Sequence, residues 1–390
     1  MPSVVHDENF NEMSAESGLR KRKSAVERSE KPSFRKSSKN DNCAPSLSDP
    51  SWYLTPDGKK KVAAPLFFVI WQKEISLAAI LSFIIAMFIP GLRDFARPFL
   101  FLSYERPDGL YGKGIKDVAF TTYWIILFTY ARAAFMDYIC RPFIVWYGVR
   151  RRKTVVRFCE QAWCFVYYFT SWLLSLYLYR TGGYWADERL LFVDYPQRFN
   201  TALFKWYYLT QLSFWLQQFV VLHIEERRAD HWQMFGHHVI TSSLVGLSYL
   251  FNITHVGNAI LYLFDFSDFI LSGSKMMKYM NFGRICDYAF VSFMLSWVYT
   301  RHYLYSRIVS VVIHHLPTII GGLRLDLASG FLFNRPIYYN FIFLLVFLQV
   351  LVYLWFAMIV KVAFRVVTGA GAVDSRSDDE GGDQKTAQSP

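Results

Sequence analysis

Two histidines and two aspartates stand inside apolar sequence between Arg227 and Lys278, where ionisable side chains need a reason to be. His237 and His238 open one apolar run that extends to about Phe251, and Asp265 and Asp268 sit in a second, from about Val256 to Ser274. A charged side chain at the centre of a membrane helix costs ~2.5–3.5 kcal/mol even on the lenient insertion scale. If the two runs form an antiparallel helical hairpin turning near Ile253 and Thr254, His238 lies at the level of residue 269. Asp268 is then one residue away, a rise of ~1.5 Å. Asp265 lies three residues earlier on the same helix face. Two imidazoles and two carboxylates are thus expected to converge near one end of the hairpin. A carboxylate beside a histidine holds its tautomer and stabilises its protonated form, which suits a general base or a nucleophile.

The same donor set admits a metal. His237, His238, Asp265 and Asp268 are acceptable zinc or iron ligands, as in a zinc hydrolase or a diiron lipid hydroxylase. The HxxHH-type boxes of membrane hydroxylases are absent from this stretch, which counts against iron. A lipid or proton transporter also uses buried carboxylates and histidines. A histidine pair alone discriminates little, because HHxxT occurs at His237–Thr241 and again at His314–Thr318. The second copy contains Pro317, which disfavours a continuing helix, and no pair of intramembrane carboxylates follows it.

The elements that must position these groups are helices in a membrane. The chain has 390 residues, 53% hydrophobic and 19% aromatic, with a formal charge of +11. Apolar runs long enough for a ~30 Å hydrocarbon core recur from residue 75 to residue 362, so we expect an all-α, polytopic membrane protein with about eight transmembrane helices, seven to eight. They fall at about 75–92, 118–138, 159–180, 203–222, 236–252, 256–273, 285–305 and 339–362. The basic excess lies in tails and loops, which fits a cytosolic membrane face rather than nucleic acid.

Arg150, Arg151, Arg152, Lys153 and Arg157 place the loop between the second and third spans in the cytosol, and both termini with it. The histidines then lie toward the cytosolic end, open to a water-soluble co-substrate. Residues 93–117 fit this scheme poorly, being expected on the lumenal side although Arg93, Arg97, Arg106, Lys113 and Lys116 occur there. Residues 306–338 read as a loop with an interfacial or re-entrant segment. Residues 1–62 and 367–390 are expected as disordered cytosolic tails, one basic and one acidic, with Ser24, Ser375 and Ser377 in kinase-readable settings. No signal peptide is visible, and the Asn252-Ile-Thr254 sequon falls too near the membrane for use. The cysteines Cys43, Cys140, Cys159, Cys164 and Cys286 form no CxxC pair and suggest neither a metal framework nor a disulfide scaffold.

The pieces DHWQMFGHHVIT, LSYLFN, LFDFSDF and SK, in that order from Asp230 to Lys275, resemble the signature of the longevity-assurance family of ceramide synthases, membrane proteins with a TLC domain. The likeness covers about residues 110–365 and looks fungal. It implies an endoplasmic-reticulum membrane enzyme built as a TLC-domain helical bundle around an acyl tunnel. Residues 63–110 would form a first helix and loop, and residues 111–366 the catalytic membrane domain. The implied reaction joins the fatty acyl group of acyl-CoA, a co-substrate and not a cofactor, to the amine of a sphingoid base. The products are (dihydro)ceramide and free CoA. The family's functional residues map onto His237, His238, Asp265 and Asp268, with no metal. Arg227, Arg228, Asp230, Lys275 and Lys278 flank them as candidate substrate-binding residues. The resemblance also implies a homodimer or a heterodimer with a related synthase, and a small single-pass accessory subunit. TLC-domain lipid sensors are the non-enzymatic alternative.

Overall fold

A computed structural model describes residues 62, 64–184, 187–192, 194–226 and 230–368. Residues 1–61 and 369–390, with Ser24, Ser375 and Ser377, lie outside the described residues, as do Arg227 and Arg228. The described chain is predominantly helical. In order it comprises α1 (Leu66–Ala86), α2 (Arg93–Leu100), β1 (Leu110–Tyr111), α3 (Lys116–Trp146), α4 (Arg152–Thr181), a 3₁₀ turn (Glu188–Phe192), β2 (Asn200–Thr201) and α5 (Ala202–Ile224). Then follow α6 (His231–Leu250), α7 (Thr254–Tyr279) and α8, in which Arg284–Trp297, a π turn at Val298–Leu304 and Tyr305–His314 run on without a break. The chain closes with α9 (Leu316–Ile319), β3 (Arg324–Asp326), β4 (Phe331–Phe333) and α10 (Arg335–Val367).

Every expected span falls on a long helix. By length and composition, α1, α3 and the Arg335–Arg365 part of α10 can each cross a membrane. The helices between α3 and α10 bury polar side chains, among them Glu160, Lys205, Gln211, Gln217 and Asp265, which dilute their apolar character. The first helix begins at Leu66 rather than residue 75. Lys73 and Glu74 read as a boundary in sequence, yet Lys73 is neutralised inside the fold by Asp137 of α3 at 3.0 Å. Asp137 itself lies in a π turn of α3, Met136–Cys140.

The most extensive helix packing is α4 against α7. One apolar core joins α6, α7, α8 and α10 beneath the 3₁₀ turn, around Leu191, Phe293, Tyr305, Phe333 and Val352. A second, aromatic core joins α3, α4, α5 and α6 through Phe120, Tyr207, Tyr208, Phe214 and Tyr249. On α7, Gly257 lies against the Tyr208 hydroxyl and Ser248 Oγ, and a Cβ there would collide with both.

The loop between α2 and α3 is tied to α5 and to the α6–α7 turn by its polar groups. Lys205 of α5 is fully buried, forms an ion pair with Asp117 at 2.7 Å, and donates to the carbonyls of Ser103 and Gly112 at 2.9 and 2.7 Å. Lys113 donates to Tyr249 O and Asn252 Oδ1, and burial pushes its ammonium down to about 7. Arg106 pairs with Asp108 at 3.1 Å. Asn252 is 7% exposed, takes φ +60° in the α6–α7 turn and donates through Nδ2 to Gly330 O, so the sequon side chain is consumed by the fold. Residues 306–338 resolve into the end of α8, the short α9 and the β3–β4 hairpin, with β3 paired antiparallel to β4 in the register Arg324 to Phe333. Gly321 and Gly322 make the bend between them at φ +72° and +100°.

Removing one member of a buried ion pair costs about 3–5 kcal/mol, because the other charge and its acceptors stay buried. Lys205→Met is therefore expected to lower the unfolding temperature of the detergent-solubilised protein clearly, and Arg106→Met, at an exposed pair, to leave it nearly unchanged. Thermal unfolding followed by tryptophan fluorescence checks both.

Candidate active site

The histidine pair lies one and a half turns inside α6, not at its start. Residues from His231 onward are already helical, so His237 and His238 are buried within the bundle at 7% and 5% exposure. The α6–α7 hairpin turns at Phe251–Ile253, as the spacing predicts. His237, His238 and Asp268 line one cavity of about 330 Å³.

Asp265 is placed differently from the expectation. It is 1% exposed and accepts from Ser171 Oγ of α4 at 2.6 Å, and it is not part of the cavity wall. Ser171 accepts in turn from Gln211 Nε2, and Gln211 Oε1 accepts from Tyr167 OH at 3.0 Å. A spacing of three residues rotates a side chain by about 60° around the helix. That rotation is enough to send Asp265 toward α4 while Asp268 faces α8. The histidine and aspartate quartet therefore divides into three cavity residues and one carboxylate in the α4–α5–α7 polar network.

Asp268 meets a residue that the sequence did not single out. Arg301, in the π turn of α8, is 3% exposed and donates through Nη2 to Asp268 Oδ1 at 2.6 Å. The same guanidinium donates to Ser267 Oγ at 2.9 Å and to Phe264 O at 3.2 Å. It lies between two aromatic faces, 4.1 Å from the Trp297 ring centroid and 4.3 Å from that of Phe264. Arg301 lies near the end of an expected span and passes in sequence for an interfacial flank. An arginine inside an apolar run, with an aspartate on the preceding helix to answer it, is the signal that could have revealed it. π turns of this kind are frequent at functional sites.

The imidazoles have their own surroundings. His237 Nδ1 lies 3.3 Å from Thr241 Oγ1, one helical turn on. His238 Nδ1 is buried without a hydrogen-bond partner among the described residues. Trp215 of α5 flanks both rings, at 5.5 Å and 6.0 Å, and Trp355 of α10 sits 5.0 Å from His237.

From this floor the cavity runs to the helix ends at Glu226, Asp230, Lys278 and Tyr279. Asp230, Lys275 and Lys278, three of the expected substrate-binding residues, are in its wall. The rim is braced by Arg132 with Glu225 at 2.5 Å and by Arg157 with Glu160 at 3.2 Å. In the other direction a smaller apolar pocket of about 40 Å³ begins at Trp215 and Thr241 and is walled by Leu244, Phe264, Leu316, Phe341 and Leu348. A charged mouth, a histidine floor and an apolar recess thus follow one another along the bundle. Among the described residues no group of three or more His, Cys, Asp or Glu side chains converges to hold a metal ion. His314 and His315 of the second HHxxT copy are exposed at the end of α8.

This helical bundle, with its buried histidine pair, belongs to the TLC-domain family, whose model matches residues 157–361. Within it the chain is a member of the fungal ceramide synthase family. It is 57% identical to the sphingosine N-acyltransferase of Schizosaccharomyces pombe over 341 residues, 87% of each chain. It is 33% identical to a ceramide synthase of Saccharomyces cerevisiae, covering 76% of this chain and 73% of that one. Ceramide synthase 4 of Mus musculus matches at 32% over 60% of this chain and 58% of its own.

Arg301 and Asp268 should behave as a coupled unit. Arg301→Met and Asp268→Leu are each expected to destabilise the protein by about 3–5 kcal/mol, and the double variant by markedly less than the sum. Unfolding temperatures of the four proteins in detergent close this cycle.

Proposed function

We propose that this chain transfers a fatty acyl group from acyl-CoA to the amine of a sphingoid base, forming a (dihydro)ceramide and free CoA. The observation that carries this is the order of surfaces along the cavity, which follows the polarity of an acyl-CoA. Phosphates belong at the charged mouth beside Lys275 and Lys278, the thioester at the histidines, and the hydrocarbon tail in the apolar recess. Both pockets together are short for a long chain, so the recess marks the direction of an acyl tunnel. Arg227 and Arg228, which precede Asp230 in sequence, belong in the same proposal as phosphate ligands.

In this mechanism His238 is the chemical residue. A sphingoid ammonium must lose a proton before its nitrogen can attack, and histidine, with an unperturbed pKa of ~6.5, suits that task. The freed amine attacks the thioester carbonyl carbon, the C–S bond breaks and the nitrogen gives up a second proton; one of the two protons goes to the departing CoA sulfur and the other to solvent. An alternative route first forms an acyl-imidazole on His238, which the amine then resolves. His237, whose Nδ1 lies 3.3 Å from Thr241 Oγ1, positions His238 or donates to the carbonyl oxygen. Asp268, held by Arg301, offers a carboxylate to the ammonium, and Asp265 keeps α7 seated on α4.

We further propose that the eight long helices all cross the endoplasmic-reticulum membrane, with both termini and the cavity mouth cytosolic. Arg150–Lys153 at the α3–α4 loop supports that orientation. The catalytic unit extends over residues 111–366, because α3 packs along α5 before the matched region begins. Assembly as a homodimer, or as a heterodimer with a related synthase, and with a small single-pass subunit rests on the family resemblance alone. No cofactor is required in this scheme.

Purified protein supplied with acyl-CoA and dihydrosphingosine is expected to release CoA and form ceramide, and to do so equally after EDTA treatment. His238→Ala should lower the rate at least ~100-fold, in line with loss of a general base or nucleophile. Intact-mass analysis after acyl-CoA alone separates the routes, since a single acyl adduct lost in His238→Ala marks the covalent one. Undiminished ceramide formation by His238→Ala would refute the assignment, and loss of activity in EDTA would reinstate a metal.

A further inference from the structure

We propose that Trp215 is a catalytic residue whose indole N–H holds the thioester carbonyl oxygen and stabilises the negative charge that develops there. The proposal rests on the acyl-transfer function above. Four buried indole nitrogens in the cavity wall, those of Trp163, Trp215, Trp297 and Trp355, have no hydrogen-bond partner among the described residues. Leaving such a buried donor unsatisfied is unfavourable, and each case calls for an explanation. An indole can only donate, so the missing partner must bring an acceptor atom.

Position separates the four. Trp163 packs against Phe135, Trp297 covers Arg301 and Trp355 stands against His237, and all three line only the larger cavity. Trp215 lines the larger cavity and the apolar recess alike. It is 4% exposed and faces both imidazoles. An acyl chain that enters the recess while its thioester stays within reach of the histidines must place its carbonyl group at this junction. The other polar side chains of the recess, Thr241 and Ser248, are engaged: Thr241 Oγ1 with His237 Nδ1, and Ser248 Oγ with Val245 O and the Tyr208 hydroxyl. Among the described residues Trp215 alone lines both pockets, and its N–H has no partner there.

The chemistry needs such a donor. When the amine, or His238, bonds to the carbonyl carbon, the C=O electron pair moves onto oxygen. It returns as the C–S bond breaks and CoA leaves as the thiol. A hydrogen bond that strengthens as this oxygen becomes negative lowers the barrier, and removal of one such donor typically costs ~10²–10³-fold in kcat.

The test compares wild type, Trp215→Phe and Trp215→His in detergent, using palmitoyl-CoA labelled with ¹³C at the carbonyl. Trp215→Phe keeps a ring and removes the N–H, so kcat should fall ~100-fold with little change in the KM for acyl-CoA. The infrared carbonyl stretch of bound substrate should lie below its free frequency in wild type and move back toward it in Trp215→Phe. Trp215→His restores a ring N–H and should recover part of both. Wild-type turnover by Trp215→Phe, or a bound wild-type carbonyl at the free frequency, overturns the proposal. The second criterion holds even if the Phe variant does not fold. Absence of CoA release from wild type would instead count against acyl transfer itself.

Discussion

The cavity wall depends on one ion pair, between the buried Arg301 and the half-buried Asp268. A guanidinium deep among apolar helices is tolerable only when its charge is answered and its donors are used. Here Asp268 supplies the charge, Ser267 and the Phe264 carbonyl take further hydrogen bonds, and two aromatic rings close over the faces. The π turn of α8 belongs to the same arrangement, since it carries Arg301 among residues whose neighbours pack as apolar surface. The pair ties α7 to α8 at the level of the histidines. Everything the site does is therefore built on a fixed wall.

Polar groups inside this protein come as networks, each spanning two or more helices. Asp265 draws Ser171, Gln211 and Tyr167 into one chain that seats α7 on α4 and α5. Lys205 and Asp117 do the same where α5 meets α3 and its preceding loop. Between them the cavity is left with groups that have no partner among the described residues, notably His238 Nδ1 and four indole N–H donors. Satisfied networks give rigidity, and the unpartnered groups of the cavity are open to an incoming partner.

Much of the site was legible as composition against context. His237, His238 and Asp268 stand out because ionisable residues in apolar runs are costly, and a hairpin of known rise brings them to one depth. The same rule misplaced Asp265, because sequence spacing gives axial height better than it gives the neighbour a side chain will face. Lys73 shows a related limit. It reads as the start of the membrane boundary, yet the fold supplies Asp137 from 64 residues away and the helix continues through it.

The sequence by itself determined that this is a helical membrane protein, roughly where its long helices run, and which ionisable residues lie within them. Those features follow from local periodicity and the solvation cost of charge, which are properties of short segments. Only the tertiary structure decided that Arg301 answers Asp268, that Asp265 turns to α4, and that Trp215 stands where a charged cavity gives way to an apolar one. Each is a meeting of side chains from different helices. Which helices become neighbours, and at what rotation, is set by packing over the whole bundle.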